Sequence, residues 1–157
     1  MRSYESWSAA RAAEIISAEM GREGPLLPIL HGLLEAFGHV PEPAVPMVAE
    51  ALNLSRAEVH GVVTFYHDFR REPAGRHVIK VCRAEACQSM KGNELARMIE
   101  RYLNVKIGQT TADGAITVEA VYCLGNCALS PAVMVDDKLV GRVDAATFEK
   151  IVAECRA

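Results

Sequence analysis

The sequence has no excess of positive charge. Lys and Arg total 17 against 20 Asp and Glu, for a formal net charge of −3. A nucleic-acid-binding surface needs a basic excess, so nucleic acid is not an expected partner. No apolar run approaches the ~18 residues of a membrane span, so no membrane contact is expected. The N-terminal stretch MRSYESWSAARAAEIISAEM has no short apolar segment followed by a cleavage site, as a secretory signal would. The expected compartment is the cytoplasm, where thiols stay reduced. The chain also lacks G-x-x-x-x-G-K-S/T, H-E-x-x-H, a Ser–His–Asp arrangement and the strand–glycine-loop–helix setting of a dinucleotide site. No catalytic residue is therefore expected. There is no C-x-x-C of the thiol–disulfide type, no internal repeat and no low-complexity tract.

What remains is 157 residues, half of them apolar and 24% charged. That composition supports a packed core, and the length allows one ordinary domain or two small ones. The pattern shifts near Pro73-Ala74-Gly75. Up to Arg76 there are seven basic and ten acidic residues; beyond it there are ten of each. The boundaries expected are a helical domain over 1–74 and a second domain over 77–157.

The first half reads as four helices. Ser8 caps a run to Met20 whose stripe is Ala9, Ala12, Ala13, Ile16 and Met20, with Gly21 ending it in the left-handed conformation. Pro25 opens a second helix carrying Leu26, Leu27, Ile29, Leu30, Leu33, Leu34 and Phe37, which Gly38 and Pro41 stop. Pro43 and Pro46 belong in the first turn of a third, since an interior proline removes a backbone bond. Val45, Val48 and Leu52 form its inner face. Ser55-Arg56-Ala57-Glu58 reads as a capping box. It opens a fourth helix with Val59, Val62, Val63, Tyr66 and Phe69 on its buried side.

The second half alternates. His77–Cys82 reads as a strand, Ser89–Leu103 as an amphipathic helix and Ala115–Tyr122 as a strand. Residues 132–135 and 138–143 form a hairpin around Asp136-Asp137, and Ala145–Glu154 forms a closing helix. The fold class is α+β, a helical bundle followed by a small mixed sheet covered by helices. The β-α-β-β-β-α order is that of a thioredoxin-like layer.

Five cysteines stand at 82, 87, 123, 127 and 155. Four form two close pairs, C-x4-C and C-x3-C, with 35 residues between them. Each pair falls just past a predicted strand end, where a loop can curl around an inorganic core. Four thiolates suit zinc or an iron–sulfur cluster. Structural zinc more often takes tighter C-x2-C knuckles, and the wider spacing suits a cluster of two irons. Unliganded or redox-active thiols remain open. A Rieske centre needs two histidines beside two cysteines, and His31, His39, His60, His67 and His77 lie outside both pairs. His60 and His67 read as polar-edge or hydrogen-bonded core residues. Cys155, without a close partner, reads as a small buried hydrophobe. Asp136-Asp137 reads as a turn and not as a catalytic carboxylate pair.

Cys82-Arg83-Ala84-Glu85-Ala86-Cys87 and Cys123-Leu124-Gly125-Asn126-Cys127 resemble the thioredoxin-like [2Fe–2S] ferredoxins. In particular they are similar to the small iron–sulfur subunit of the NADH dehydrogenase module of respiratory complex I. GQTTADGAITVEAVYCLGNC (108–127), GHVPEPAV (38–45) and HGVVTFYHDF (60–69) share that likeness. LPILHGLLEAFGHVP and VCRAEACQSM look closest to the gamma subunits of soluble NAD-dependent, molybdenum-containing formate dehydrogenases. The resemblance implies one [2Fe–2S] cluster held by Cys82, Cys87, Cys123 and Cys127. It implies a flavoprotein (beta) partner carrying FMN and [4Fe–4S] centres, and a molybdenum-containing (alpha) subunit in the assembly. The chain would be an electron-transfer subunit with no activity alone. The alternatives are the equivalent subunit of complex I or of an NAD-linked hydrogenase, a zinc-stabilised interaction module, and a thiol–disulfide enzyme. With four thiolates an oxidised cluster is a dianion and gains a further charge on reduction. Backbone N–H groups and nearby cations must therefore stabilise it. Gly125 lets the backbone approach the sulfurs, Arg83 and Lys91 are the nearest basic residues, and Pro131 turns the chain into the hairpin.

Overall fold

The computed structural model describes residues 4–157. They form two compact units that meet in sequence at Pro73 and Ala74. The first contains helices α1 (Ala9–Glu19), α2 (Leu26–Phe37), α3 (Ala44–Leu52) and α4 (Arg56–Phe65). Ser8 caps α1 by accepting from the Arg11 N–H. The stripe is rotated from the sequence reading. Ala12, Ile15 and Ile16 are buried, while Ala9, Ala13 and Met20 are exposed. Burying Ile15 in place of two alanines removes more apolar surface from water. Gly21 does not take the left-handed conformation; the end of α1 is closed by a turn in which the Arg22 N–H donates to the Glu19 carbonyl.

Pro25 sits at the N-cap position of α2, and Gly38 ends that helix with φ 73°. Pro43 and Pro46 both fall in the first turn of α3, where their missing N–H groups have no helical partner to lose. The Ser55–Glu58 capping box is complete. Ile29, Leu30, Leu33, Phe37, Val48, Val59 and Val63 form the core of this unit. Phe69 joins it from beyond the end of α4, whereas Tyr66 is exposed. The helix stops at Phe65 because Tyr66 is extended.

The second unit is a four-stranded sheet in the order β2-β1-β3-β4. Its strands are β1 (His77–Cys82), β2 (Ile116–Val121), β3 (Val133–Val135) and β4 (Lys138–Val140). β1 and β2 pair in parallel, with His77 opposite Ile116 and Cys82 opposite Val121. β3 and β4 add antiparallel neighbours on the other side of β1. Parallel pairing requires a crossover, which here consists of α5 (Glu85–Ser89) and α6 (Gly92–Leu103). The single helix expected over Ser89–Leu103 is thus two. Lys91 breaks it with φ 66°, and the chain folds back on α5. A Cβ on Gly92 would lie 2.5 Å from the Cys87 carbonyl oxygen, so glycine alone permits this approach.

The closing helix α7 (Ala145–Arg156) is capped by the Asp144 side chain, which accepts from the Thr147 N–H. Ile79, Val81, Leu95, Ile99, Ile116, Val133, Phe148 and Val152 fill the space between the sheet and helices α6 and α7. Asp136-Asp137 forms the β3–β4 turn. Asp136 accepts from His77 Nδ1 and from the Val78 N–H at 2.8 and 2.9 Å, so its carboxylate is structural. Among the described residues no helix is long and apolar enough to cross a membrane.

Phe148 is fully buried and meets the Tyr102 ring edge-on at 5.9 Å. Phe148→Ala should destabilise the protein by about 3–5 kcal/mol, the usual cost of emptying such a core site. Urea unfolding of the purified protein measures this, and a loss below about 1 kcal/mol would mean the core is not built around that ring.

Candidate metal centre

The sheet topology brings the two cysteine pairs together. Because β1 and β2 are parallel and in register, both chains leave the sheet at the same end. Cys82 is the last residue of β1, and Cys123 follows β2 by two residues. The segment entering β3 crosses the same end, where the Cys82 N–H donates to the Ala132 carbonyl at 3.1 Å. The Ser130–Pro131 peptide bond just before it is cis.

The two pairs have different surroundings. Cys82 and Cys87 are 4% and 2% exposed and pack with Ala132, whereas Cys123 and Cys127 are exposed. The Cys123 and Cys127 sulfurs are 3.8 Å apart. Tetrahedral thiolates at ~2.3 Å from one metal ion are about 3.8 Å from each other, so this pair fits one metal ion. The Cys87 thiol donates to Ser130 Oγ at 3.5 Å, and the Cys82 and Cys87 thiols shift each other's pKa. No three of the described His, Cys, Asp or Glu side chains converge on a single-ion site.

Backbone N–H groups point at these sulfurs. The Gly125 N–H donates to Cys123 Sγ at 3.3 Å. The N–H groups of Ala84 and Leu124 lower the pKa of the Cys82 thiol, and that of Ala132 lowers the pKa of Cys87. Ala84 and Gly125 each stand two residues beyond the first cysteine of their pair. Two positive torsions shape the outer loop, Cys123 at φ 144° and Gly125 at φ 73°. Gly125 adopts its torsion without steric cost.

Burial pushes the Cys82 thiol above the ordinary thiol range, against the N–H groups of Ala84 and Leu124. Burial acts the same way on Cys87, but Ser130, Cys82 and the Ala132 N–H outweigh it and leave that thiol below the ordinary range. Cys127 is pushed up, first by its hydrogen bond and charge interaction with Cys123, then by burial and the charges of Cys87 and Cys82. Cys127 thus feels the charge of the other three cysteines, and Cys82 and Cys87 feel each other.

Other residues singled out in the sequence lie elsewhere. Cys155 is buried in the core beside Ile151 and Val152, and burial raises its pKa. His60 and His67 are exposed, as is Lys91. Arg83 is half-buried and donates from Nη2 to Asn93 Oδ1 at 3.1 Å. Sequence reading missed Ser130, Ala132 and Leu124. The only signal available was their closeness to Pro131 and to the second cysteine pair.

A four-stranded sheet with two helices on it and four cysteines gathered at one end defines a small thiolate-rich α+β protein. The family profile of thioredoxin-like [2Fe–2S] ferredoxins matches residues 12–156, and the chain belongs to that family. Its cofactor is accordingly one [2Fe–2S] cluster. The NADP-reducing hydrogenase subunit HndA of Solidesulfovibrio fructosivorans is 35% identical over 85% of this chain and 78% of its own length. A subunit of the NADH-quinone oxidoreductase of Pseudomonas aeruginosa is 42% identical over 68% of this chain, and the match spans 64% of that relative. The fold also matches the structure of an air-oxidised NAD+-reducing [NiFe]-hydrogenase, with a TM-score of 0.69 and 23% identity. That match covers 83% of this chain and 22% of the hydrogenase chain.

Proposed function

We propose that this chain is a one-electron carrier in an NAD-linked oxidoreductase, its cluster held by Cys82, Cys87, Cys123 and Cys127. The observation that carries the reading is the meeting of both cysteine pairs at one sheet end in a chain of this family. When bound, the cluster supplies reversible one-electron exchange. The chain's own residues do the rest. The N–H groups of Ala84, Leu124, Gly125 and Ala132 offset the negative charge on the sulfurs. Burial of Cys82 and Cys87 keeps water from one side, and Cys123 and Cys127 leave the other side open to a redox partner.

The surroundings of the open side suit docking. From Tyr122 to Val135 there is no charged residue, Tyr122 is 82% exposed and Leu129 is exposed as well. Separately, and by itself, the helical unit carries Phe65, 73% exposed, which stacks edge-on against exposed Tyr66 at 5.0 Å. Exposed aromatics of this kind are enriched at protein interfaces. The partner is a flavoprotein subunit carrying FMN and [4Fe–4S] centres, and the assembly is cytoplasmic. The sequence phrases favour a formate dehydrogenase whose alpha subunit carries molybdenum. The names of the relatives favour a second parent, a hydrogenase or an NADH–quinone oxidoreductase. The proteins that co-purify with the chain decide between them, a molybdopterin subunit indicating the first.

The isolated chain should neither oxidise formate nor reduce NAD. In the complex, NADH should bleach the visible absorption of the cluster under anaerobic conditions, and in the isolated chain it should not. NAD reduction by the chain alone overturns the proposal, as does a colourless protein holding one zinc ion.

A further inference from the structure

Cys87 sits on α5, a helix of five residues. A single turn of helix is not stable by itself, because nucleation fixes several dihedral angles for one hydrogen bond. Nor does α6 hold it by continuity, since the break at Lys91 separates the two helices. The position of Cys87 relative to Cys82 must therefore come from contacts outside α5.

Besides the contacts of Cys87 itself with Ser130 and Ala132, three side chains tie α5 to its neighbours. Arg83 follows Cys82 and is anchored to β2 by its N–H, which donates to the Val121 carbonyl at 2.7 Å. Its guanidinium Nη2 donates to Asn93 Oδ1 at 3.1 Å. Asn93 lies in the first turn of α6, and its Nδ2 faces Gln88 Oε1 at 3.5 Å. Gln88, next to Cys87 on α5, closes the ring by donating from Nε2 to the Arg83 carbonyl at 2.7 Å. Arg83 Nε is buried and has no acceptor among the described residues, so the bond to Asn93 is what orients the guanidinium. Gly92, just before Asn93, presses on the Cys87 carbonyl. Asn93 thus links the sheet end that carries Cys82 to the helix that carries Cys87.

We infer that Asn93 is a positioning residue for the cluster, fixing through Arg83 and Gln88 the placement of Cys87 relative to Cys82. This rests on the assignment of Cys82 and Cys87 as ligands. The consequence is specific to the oxygen of the Asn93 side chain. Asn93→Asp keeps the acceptor for Arg83 and adds charge to that bond, giving up only the long 3.5 Å contact of Nδ2 with Gln88 Oε1. Asn93→Leu fills similar volume and removes it.

The test compares both variants with the wild-type protein, each carrying its cluster. The readouts are the rate of cluster bleaching by an iron chelator, the EPR spectrum of the dithionite-reduced protein and its midpoint potential. Residues that orient metal ligands typically contribute 10–100-fold to metal retention. Asn93→Leu should therefore lose its cluster roughly tenfold or more faster and shift the EPR signal, and Asn93→Asp should stay near wild type. Gln88→Met, a change at an exposed position, should move the same readouts in the same direction by a smaller factor. It keeps the test alive if Asn93→Leu does not fold. Cys87→Ser serves as the control. Wild-type bleaching and EPR in both Asn93→Leu and Gln88→Met, with the cluster lost in Cys87→Ser, overturn the role of Asn93 alone. A full wild-type cluster in Cys87→Ser overturns the ligand assignment and the inference with it.

Discussion

Replacing any one of Cys82, Cys87, Cys123 or Cys127 by serine is expected to remove most of the iron and sulfide, while Cys155→Ser retains the cluster. A serine hydroxyl loses its proton far less readily than a thiol, so it leaves one iron short of an anionic ligand. The effect should differ between the pairs. Cys82 and Cys87 are enclosed with Ala132, so a failed ligand there leaves a polar hydroxyl in a site with little room for water. Cys123 and Cys127 are exposed, so water can stand in for the missing thiolate and a residual, altered cluster should survive more often. Cys155 lies in the main core with Ile151 and Val152, and its serine variant should lose stability while keeping its colour. Iron and sulfide analysis with EPR of the reduced protein measures all five. A wild-type signal in Cys123→Ser, or loss of the cluster in Cys155→Ser, would count against the assignment.

Removing the iron should loosen residues 82–90 and 123–131 far more than helices α1 to α4. The reason lies in what each segment buries. The first unit has its own core, built on Ile29, Leu30, Leu33 and Phe37. The sheet has another, built on Ile79, Ile99, Ile116 and Phe148. The cysteine loops contribute to neither. They share only the small cluster of Cys82, Cys87 and Ala132 with Ala84, Val121 and Leu124. Segments with few buried apolar contacts open at low free-energy cost, and a cluster bridging both loops would add the missing constraint. Hydrogen exchange on the holo- and apo-protein should show protection falling by several orders of magnitude in those loops. It should change little in Leu30, Leu33 or Val59. Equal loop protection with and without iron would show that the polypeptide alone holds them.

Elements with local causes were legible in the amino acids alone. The Ser55–Glu58 capping box, the two prolines in the first turn of α3, Gly38 at the end of α2 and the β-branched run of β1 all depend on near neighbours. Each stands where the residues put it. The cysteine spacing was equally local, and it marked four of the five thiols as a set. Periodicity also separated a helical half from a half with strands.

Long-range packing settled the rest, because it chooses among locally acceptable options. It rotated α1 to bury Ile15. It broke the predicted helix at Lys91 so that Gly92 could rest on the Cys87 carbonyl, a close approach no pattern in that stretch records. It carried Phe69 into the core and left Phe65 and Tyr66 in solvent, although all three share one aromatic stretch. Above all, only the parallel register of β1 and β2 brings Cys82 and Cys123 to the same end of the sheet. Spacing could name the four cysteines, but a sequence cannot show that one pair is enclosed and the other open, or that Asn93 ties Arg83 to Gln88 behind them. Those facts depend on strands that are distant in the chain and adjacent in space.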